Sequence, residues 1–209
     1  MIVYFNGDEN VDEIALTFDD GPNPPRTEKV LDILGSFKIK ATFFLLGKWV
    51  EKFPETVREI KRRGHLIGNH SYSHSRDIDD LEKCEELIKK ITGEPVIFIR
   101  PPYGEWKNYP SLNNMKDKKI ISLSFEPTDW QTPGINKIKE YYLNNIKNGS
   151  VIAFHDGNHK EANSNRSDQM IQSLPEILEK LKNKFKFVRL DKMKLFPKEI
   201  NDDLDSNSK

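Results

Sequence analysis

Five polar motifs each follow a short apolar run that predicts a β-strand. They carry acids, imidazoles and an arginine, which are the side chains that bind metal ions or move protons. The motifs are Asp19–Pro22 (DDGP), His70–His74 (HSYSH), Arg100–Gly104 (RPPYG), Asp129–Trp130 (DW) and His155–Gly157 (HDG). Ligands of α/β proteins bind at the carboxyl ends of strands. We therefore expect the five motifs to meet at one end of the fold.

The first motif places two carboxylates side by side. In a straight strand Asp19 and Asp20 point to opposite faces, but Gly21-Pro22 permits a turn that brings both to one site. Two neighbouring anions repel and raise one pKa unless cations lie beside them. The pair therefore predicts a metal ion, a basic partner or both. The competing interpretation is a plain turn, because Asp, Gly and Pro are turn formers.

The second motif spaces two imidazoles four residues apart. On a helical turn His70 and His74 share one face, which is a chelating geometry for Zn²⁺ or a similar ion. With one carboxylate, the pair leaves an open coordination position for water, whose pKa the metal lowers. The same ligand set also suits non-haem iron, and paired surface histidines are common without any metal.

A third histidine is placed to move protons. His155 follows the predicted strand Ser150–Phe154, and it shares that end of the fold with the other motifs, so we interpret it as catalytic. Asp129 is a candidate to hydrogen-bond its ring and keep it protonated. Trp130 is expected either to form an apolar wall of the site or to pack in the core.

Two other histidines are not expected at the site. His65 precedes a predicted strand, at the opposite end of the fold, and His159 lies in a polar loop where we expect it to be solvated. Cys84 is the only cysteine, so no intrachain disulfide can form. Its helical context predicts a buried and unreactive thiol.

Short apolar strands alternate with amphipathic helices along the chain. The predicted strands are Ile14–Phe18, Ala41–Leu46, His65–Asn69, Val96–Arg100, Ile120–Phe125, Ser150–Phe154 and Phe185–Leu190. The predicted helices are Thr27–Phe37, Pro54–Arg63, Asp79–Ile91, Ile135–Ile146 and Gln169–Lys182. Near-continuous apolar strands are typical of a parallel sheet that is buried on both faces.

This alternation predicts βα units with right-handed crossovers. We expect an α/β fold, a small, distorted or incomplete (β/α) barrel of about seven strands, with a flavodoxin-like open sheet as the alternative. Residues 1–197 are predicted to form a single catalytic domain, and residues 198–209 a polar tail.

Composition limits the partners and the compartment. Lys+Arg and Asp+Glu both number 33, so no net charge attracts the chain to nucleic acid or to an anionic membrane. No apolar run reaches the length of about 18 residues that a transmembrane helix needs. The first residues lack the pattern of a signal peptide, which predicts a cytoplasmic protein unless a segment was removed before Met1. No pattern predicts the oligomeric state.

Taken together, the five motifs resemble the polysaccharide deacetylase family, also called the NodB homology domain or carbohydrate esterase family 4. The matches are TFDDGP (Thr17–Pro22), HSYSH, RPPYG, DW and IAFHD (Ile152–Asp156), in that order, and they extend from Ile14 to about Leu190. The resemblance implies a metal-dependent hydrolase that removes acetyl groups from a glycan containing N-acetylglucosamine, of the chitooligosaccharide or peptidoglycan type.

The resemblance also implies a role for each matching residue. Asp20, His70 and His74 bind the metal, usually Zn²⁺ and sometimes Co²⁺ or another divalent ion. Asp19 is the general base that activates water on the metal, and Arg100 orients it.

On the substrate side, the backbone N–H of Tyr103 stabilises the oxyanion, His155 protonates the leaving amine, and Asp129 tunes His155. The residues expected to contact the substrate are Tyr103, Pro102, Trp130 and Ala153.

Three departures from the family pattern bear on the substrate. Ala153 stands where the family usually has Leu, which predicts a wider or differently filled methyl pocket. Glu126 replaces the usual Asp three residues before Asp129. The segment from His74 to Gly93 is shorter than usual, which predicts a more open groove.

Three other functions remain open at this point. An O-acetyl esterase of the acetylxylan type would depend less on His155, because an alkoxide leaves more easily than an amine. A catalytically silent carbohydrate-binding protein would bind glycan without releasing acetate. A 2-His-1-carboxylate iron oxygenase would need oxygen for turnover.

Overall fold

Nine strands form one curled sheet in the computed structural model, which describes residues 2–104 and 117–199. The strands are β1 (Ile2–Asn6), β2 (Glu13–Gly21), β3 (Thr42–Leu45), β4 (Leu66–Asn69), β5 (Phe98–Ile99), β6 (Lys119–Ile121), β7 (Val151–His155), β8 (Lys186–Phe187) and β9 (Phe196–Glu199). Their order is β7-β2-β3-β4-β5-β6-β1-β9, and β8 pairs with β2.

The two ends of this sheet approach each other. Every strand pair is parallel except β1–β9, which is antiparallel. An isolated bridge joins Asn6, at the end of β1, to Ser150, just before β7. This contact between opposite ends excludes a flat open sheet and confirms the predicted incomplete barrel. The strand count is nine rather than about seven because β1 and β9, which were not predicted, pair with each other.

Alternation along β2 separates its apolar and polar faces. Ile14, Leu16 and Phe18 are fully buried in a cluster that also contains the helix side chains. Burying one such side chain contributes roughly 1.5–3 kcal/mol. Ala15 belongs to a second cluster on the other face of the sheet. Because strand residues alternate, Asp19 shares the face of Ala15, inside the barrel.

Helices cover the outer face of the sheet. They are α1 (Arg26–Ser36), α2 (Gly47–Lys52), α3 (Pro54–Arg62), α4 (Ile78–Thr92), α5 (Ile135–Asn145) and α6 (Asp168–Leu181). Five lie within two residues of their predicted bounds, and α2 was not predicted. In α4 the side chain of Asp77 accepts the N–H of Asp79, and Gly93 ends the helix in the left-handed region. Cys84 is buried in α4, as expected, and burial raises the pKa of its thiol.

Several predicted strands are shorter in the structure. The predicted strand Ile120–Phe125 ends at Ile121. The N–H of Ser122 still donates to Tyr4 of β1, but that of Ser124 donates to Val151 of β7, so the chain has left β1 by that residue.

At the C-terminal end, β9 continues two residues past the predicted domain limit at 197. Residues 200–209 of the predicted tail lie outside the described residues. Of the helices in the described ranges, none is both long and apolar enough to span a bilayer.

Candidate active site

A β-bulge at the end of β2 turns two adjacent carboxylates into one cleft. In the β2–β3 register Asp19 pairs with Phe44 and Gly21 with Leu45, which leaves Asp20 without a partner. Asp20 has a φ of 69°, so the backbone bends at this residue rather than at the predicted Gly21-Pro22 turn. The bulge explains how neighbours in a strand can serve one site.

The segment after β7 packs directly behind this bulge. A Cβ on Gly157 would lie 1.9 Å from the carbonyl oxygen of Asp20, well inside van der Waals contact. Only glycine therefore fits at this position, and its backbone supports the bulge.

Asp20, His70 and His74 form a cluster suited to a divalent cation. The Nε2 atoms of both histidines lie 3.6 Å from Oδ1 of Asp20, and all three ligand atoms lie within 4.8 Å of one another. A tetrahedral Zn²⁺ site with bonds of about 2.0–2.1 Å has edges of about 3.4 Å. Oδ1 of Asp20 is buried and has no hydrogen-bond partner among the described residues. A buried carboxylate oxygen that faces two imidazoles fits a cation.

A loop, rather than the predicted helical turn, brings the two imidazoles together. Ser71 and His74 have φ values of 70° and 67°, which a helix cannot contain. Polar side chains fix the loop: the N–H of Ser71 donates to Oδ1 of Asn69 at 2.8 Å, and the N–H of His74 to Oγ of Ser71 at 3.0 Å. The four-residue spacing correctly predicted that the two imidazoles lie close together. It predicted a helical turn, however, where the structure has a loop.

The electrostatics favour metal-binding forms of these ligands. Burial, followed by the charge of His70, lowers the pKa of His74 to about 3, which keeps its imidazole neutral. Burial alone would raise the pKa of Asp20, but the surrounding imidazoles, with His159 first, hold it below its ordinary value. A neutral imidazole and an ionised carboxylate are the forms that coordinate a metal.

Arg100 connects the two sides of the site. Its Nη1 donates to Oδ1 of Asp19 at 2.7 Å and to Oγ1 of Thr17 at 2.6 Å, and the residue is only 1% exposed. Its backbone carbonyl oxygen lies 2.6 Å from Nδ1 of His70 and orients that ring. The structure thus brings Arg100 to Asp19 as the resemblance implied. The assignment of Asp19 as base stays a prediction.

His155 and Asp129 form the hydrogen-bonded pair expected from the sequence. His155 lies opposite Asp19 in the β2–β7 register. Oδ1 of Asp129 lies 3.1 Å from Nδ1 of His155, and Oδ2 accepts its backbone N–H at 2.7 Å. Burial alone would lower the pKa of His155, but the charge and hydrogen bond of Asp129 outweigh it and raise the pKa to about 9. A pKa of that value favours the protonated form of the imidazole at neutral pH.

The tyrosine beside this pair is also buried. The hydroxyl of Tyr142 lies 2.9 Å from Oδ1 of Asp129 and 2.8 Å from the carbonyl oxygen of Ala153. The hydroxyl carries one hydrogen, which it can donate to either of these two oxygens.

One cleft of about 340 Å³, a volume typical of a small-ligand site, is lined by the acids, imidazoles and guanidinium of the site: Asp19, Asp20, His70, His74, Arg100, Asp129 and His155. Trp130 and Tyr103 also line the cleft and are 40% and 55% exposed, so both can contact a ligand. Pro102 and Ala153 are buried and are not among the residues that line it. Their predicted contact with the substrate stays a prediction.

The expectation for His159 was wrong, whereas that for His65 was correct. His65 is buried away from the cleft, where its Nδ1 accepts the N–H of Ala41 at 3.1 Å. His159 lines the cleft, and its ring stacks on His74 with centroids 4.2 Å apart. Its place four residues after His155 was a weak signal, because the sequence does not show that the loop folds back over the site.

The Asp-His-His cluster at the ends of the strands of this β/α barrel is a donor set that fits a divalent cation. The family model described as polysaccharide deacetylase matches residues 6–120, which is more than half of the chain. The chain belongs to this family.

The names of individual relatives agree with this family assignment. A peptidoglycan-N-acetylglucosamine deacetylase from Bacillus cereus is 39% identical over 81% of this chain and 66% of the relative. A chitooligosaccharide deacetylase from Sinorhizobium fredii is 32% identical over 84% of this chain and 88% of the relative. The crystal structure of a peptidoglycan N-acetylglucosamine deacetylase superposes with a TM-score of 0.81 at 37% identity, covering 90% of this chain and 91% of that one.

These similarities confirm the predicted family and the predicted enzyme class, a polysaccharide deacetylase. The chain spans 66% of the length of the Bacillus cereus relative, just under two thirds. The glycan and the metal of this chain are therefore proposals.

Proposed function

We propose that this protein is a metal-dependent N-deacetylase that acts on a poly- or oligosaccharide containing N-acetylglucosamine, of the peptidoglycan or chitooligosaccharide type. The observation that carries the proposal is the convergence of Asp20, His70 and His74 beside a second carboxylate, Asp19, and the imidazole of His155. The names of the relatives supply the substrate class.

The donor set of two imidazoles and one carboxylate fits Zn²⁺, and Co²⁺ or another divalent ion is compatible with it. When bound there, such an ion supplies an activated water at neutral pH and polarises the acetyl carbonyl. Asp20, His70 and His74 are the residues that would hold it.

The other residues of the cleft move the protons. Asp19 takes a proton from the attacking water, and the hydrogen bond from Arg100 fixes the direction of its carboxylate. His155 gives a proton to the departing nitrogen, which is a poor leaving group without one. Asp129 keeps His155 in the protonated form.

The Asp129–His155 pair favours an amide over an ester as the scissile bond. An ester leaves as an alkoxide and gains less from an acid, whereas an amine must be protonated to leave. A raised imidazole pKa of about 9 keeps the acid available across neutral pH.

Acetate release tests the proposal. Purified protein is incubated with N-acetylchitooligosaccharides, peptidoglycan and acetylated xylan, before and after chelation and after Zn²⁺ or Co²⁺ is restored. We expect release from the N-acetylated glycans only with metal, and near-complete loss in Asp19→Asn and His155→Ala proteins that remain folded by circular dichroism.

Three results would contradict parts of this proposal. Unchanged release by Asp19→Asn excludes Asp19 as the base. Release from xylan alone, retained in His155→Ala, identifies an O-acetyl esterase instead. Glycan binding without release of acetate from any substrate identifies a silent binding protein.

A further inference from the structure

We propose that His159 is a positioning residue of the metal site, which holds the second oxygen of Asp20 and the ring of His74 from outside the set of metal ligands. The inference rests on the proposed metal-dependent function, and it assigns a role to a residue outside the five motifs.

The two oxygens of Asp20 face different imidazoles. Oδ1 faces Nε2 of His70 and of His74, each at 3.6 Å. Oδ2 faces Nδ1 of His159 at 3.5 Å, which is within ion-pair distance but longer than an ordinary N–H···O hydrogen bond of about 2.7–3.2 Å. This division leaves Oδ1 for a cation and places Oδ2 beside a ring nitrogen that can donate when it carries a proton, so Asp20 is directed to bind through one oxygen. Carboxylates that bind metals are commonly held by such outer hydrogen bonds.

The two ligand histidines are supported in different ways. Nδ1 of His70 has the carbonyl oxygen of Arg100 as a partner at 2.6 Å. Nδ1 of His74 is buried and has no hydrogen-bond partner among the described residues. Ligand histidines usually have such a partner, which fixes the ring orientation. His74 needs another support.

Ring packing supplies that support. The rings of His74 and His159 stack with a centroid distance of 4.2 Å and an interplanar angle of 13°. The ring of Tyr103 also packs against the ring of His74 in an edge-to-face arrangement, with a centroid distance of 4.4 Å and an interplanar angle of 73°. His159 therefore contacts two of the three metal-binding residues, one through its ring and one through Nδ1.

The loop that carries His159 is attached to helix α2. Nζ of Lys48 donates to the carbonyl oxygen of His159, and Nε1 of Trp49 donates to that of Asn158 at 3.0 Å. These two bonds place the backbone of the loop, so the imidazole is held against the site rather than exposed to solvent. Its side chain is 23% exposed.

Three substitutions separate the contacts of His159. In His159→Asn the amide nitrogen takes the place of Nδ1, one bond from Cγ, and keeps a donor for Asp20. In His159→Gln the amide is displaced outward by one carbon, and in His159→Ala both donor and ring are lost. Affinity for Zn²⁺ and Co²⁺ is measured by competition with a chromophoric chelator, and acetate release is measured in parallel.

We expect His159→Ala to weaken metal binding by about 10–100-fold, the usual effect of losing an outer partner of a metal ligand. His159→Asn is expected to recover part of that loss, and His159→Gln less. The matched control is Lys160→Ala, on the same loop. Removing an exposed cation cannot weaken cation binding by charge, so a loss there would show that the loop itself was disturbed and would overturn the assignment to the His159 side chain.

The remaining outcomes separate the two proposals. Metal affinity equal to that of the wild type in His159→Ala, even with a higher KM, overturns the positioning role and leaves the proposed function intact. A wild-type protein that binds neither Zn²⁺ nor Co²⁺ overturns both.

Discussion

At the scale of single residues, one carboxylate decides the acidity of His155. Burial works against the imidazolium, and Asp129 outweighs it through a charge and a hydrogen bond to Nδ1. An amide hydrolase needs this balance, because the leaving amine must take a proton at a pH where free imidazole, with a pKa of about 6.5, is mostly neutral.

Replacing Asp129 by Asn should shift the alkaline limb of activity. His155 acts as an acid only below its pKa, so activity is present below pH of about 9 and is lost as the pH rises through that value. Without the charge of Asp129, the pKa should fall toward its ordinary value of about 6.5. The check is the pH profile of kcat/KM for acetate release.

The control for this prediction is Tyr142→Phe. It removes a hydroxyl that lies 2.9 Å from Oδ1 of Asp129 but leaves the carboxylate charged. Its alkaline limb should stay near that of the wild type. If the alkaline limb of the pH profile were unchanged in Asp129→Asn, a group other than the Asp129–His155 pair would set that limb.

At the scale of elements, the end of β2 depends on the segment after β7. The bulge at Asp20 directs its carboxylate to the histidines, and the backbone of Gly157 lies against the Asp20 carbonyl with no room for a side chain. The proposed metal site is therefore shaped by packing between two backbone segments that are far apart in sequence.

Gly157→Ala should displace the bulge and weaken metal binding. A methyl group 1.9 Å from a carbonyl oxygen must push β2 or the loop away, since neither partner is a flexible side-chain end. We expect a lower Tm and a loss of Zn²⁺ affinity of at least about tenfold, comparable to the loss of an outer partner of a ligand. Calorimetry and chelator competition measure the two effects.

A glycine without close neighbours provides the comparison. Gly35 lies in helix α1, and a Cβ there would meet nothing within 4 Å. Gly35→Ala should be neutral or stabilising, because alanine is the better helix former by about 1 kcal/mol. Equal changes in Tm and in Zn²⁺ affinity in Gly157→Ala and Gly35→Ala would refute the steric argument for Gly157.

The elements also show what the sequence could and could not predict. Helices with clear periodicity, such as α4, were found to within two residues, because their apolar stripe and their end residues are local signals. Helix α2 was missed, because six residues that begin with Gly47 carry too little periodicity. Strands β1 and β9 were missed, because they are stabilised by pairing across almost the whole chain.

The same distinction applies to the site. The order of the five motifs predicted which residues meet in the cleft, because strand ends converge in this kind of fold. His159 could not be predicted, because its place depends on contacts of its loop with Lys48 and Trp49 on another element. The spacing of His70 and His74 correctly predicted that the two rings are close, but the structure achieves this with a loop that contains left-handed residues and not with a helical turn.

At the scale of the whole molecule, the cation would join strands that do not pair with each other. Asp20 lies on β2 and His70 follows β4, and β3 lies between these strands in the sheet. Binding an ion there should stabilise the folded sheet as well as serve the reaction.

Metal removal should therefore lower the Tm. At a free metal concentration of 100 times Kd, binding stabilises the folded state by about 2.7 kcal/mol, which is roughly 5–10 °C for a chain of this size. Thermal melts after chelation and during Zn²⁺ titration measure the shift. In Asp20→Asn the Tm should not depend on metal, and an equal shift in that variant would place the stabilising ion elsewhere.

Arg100 has a further consequence for how this enzyme can vary. Its carbonyl oxygen sets the orientation of one metal-binding ring, while its guanidinium sets the direction of the neighbouring acid. The distance between the proposed metal ligand His70 and the proposed base Asp19 is thus set by one buried residue, Arg100. Substitutions that adapt the enzyme to new glycans should accumulate in the exposed rim around Trp130 and Tyr103, where they leave that internal spacing unchanged.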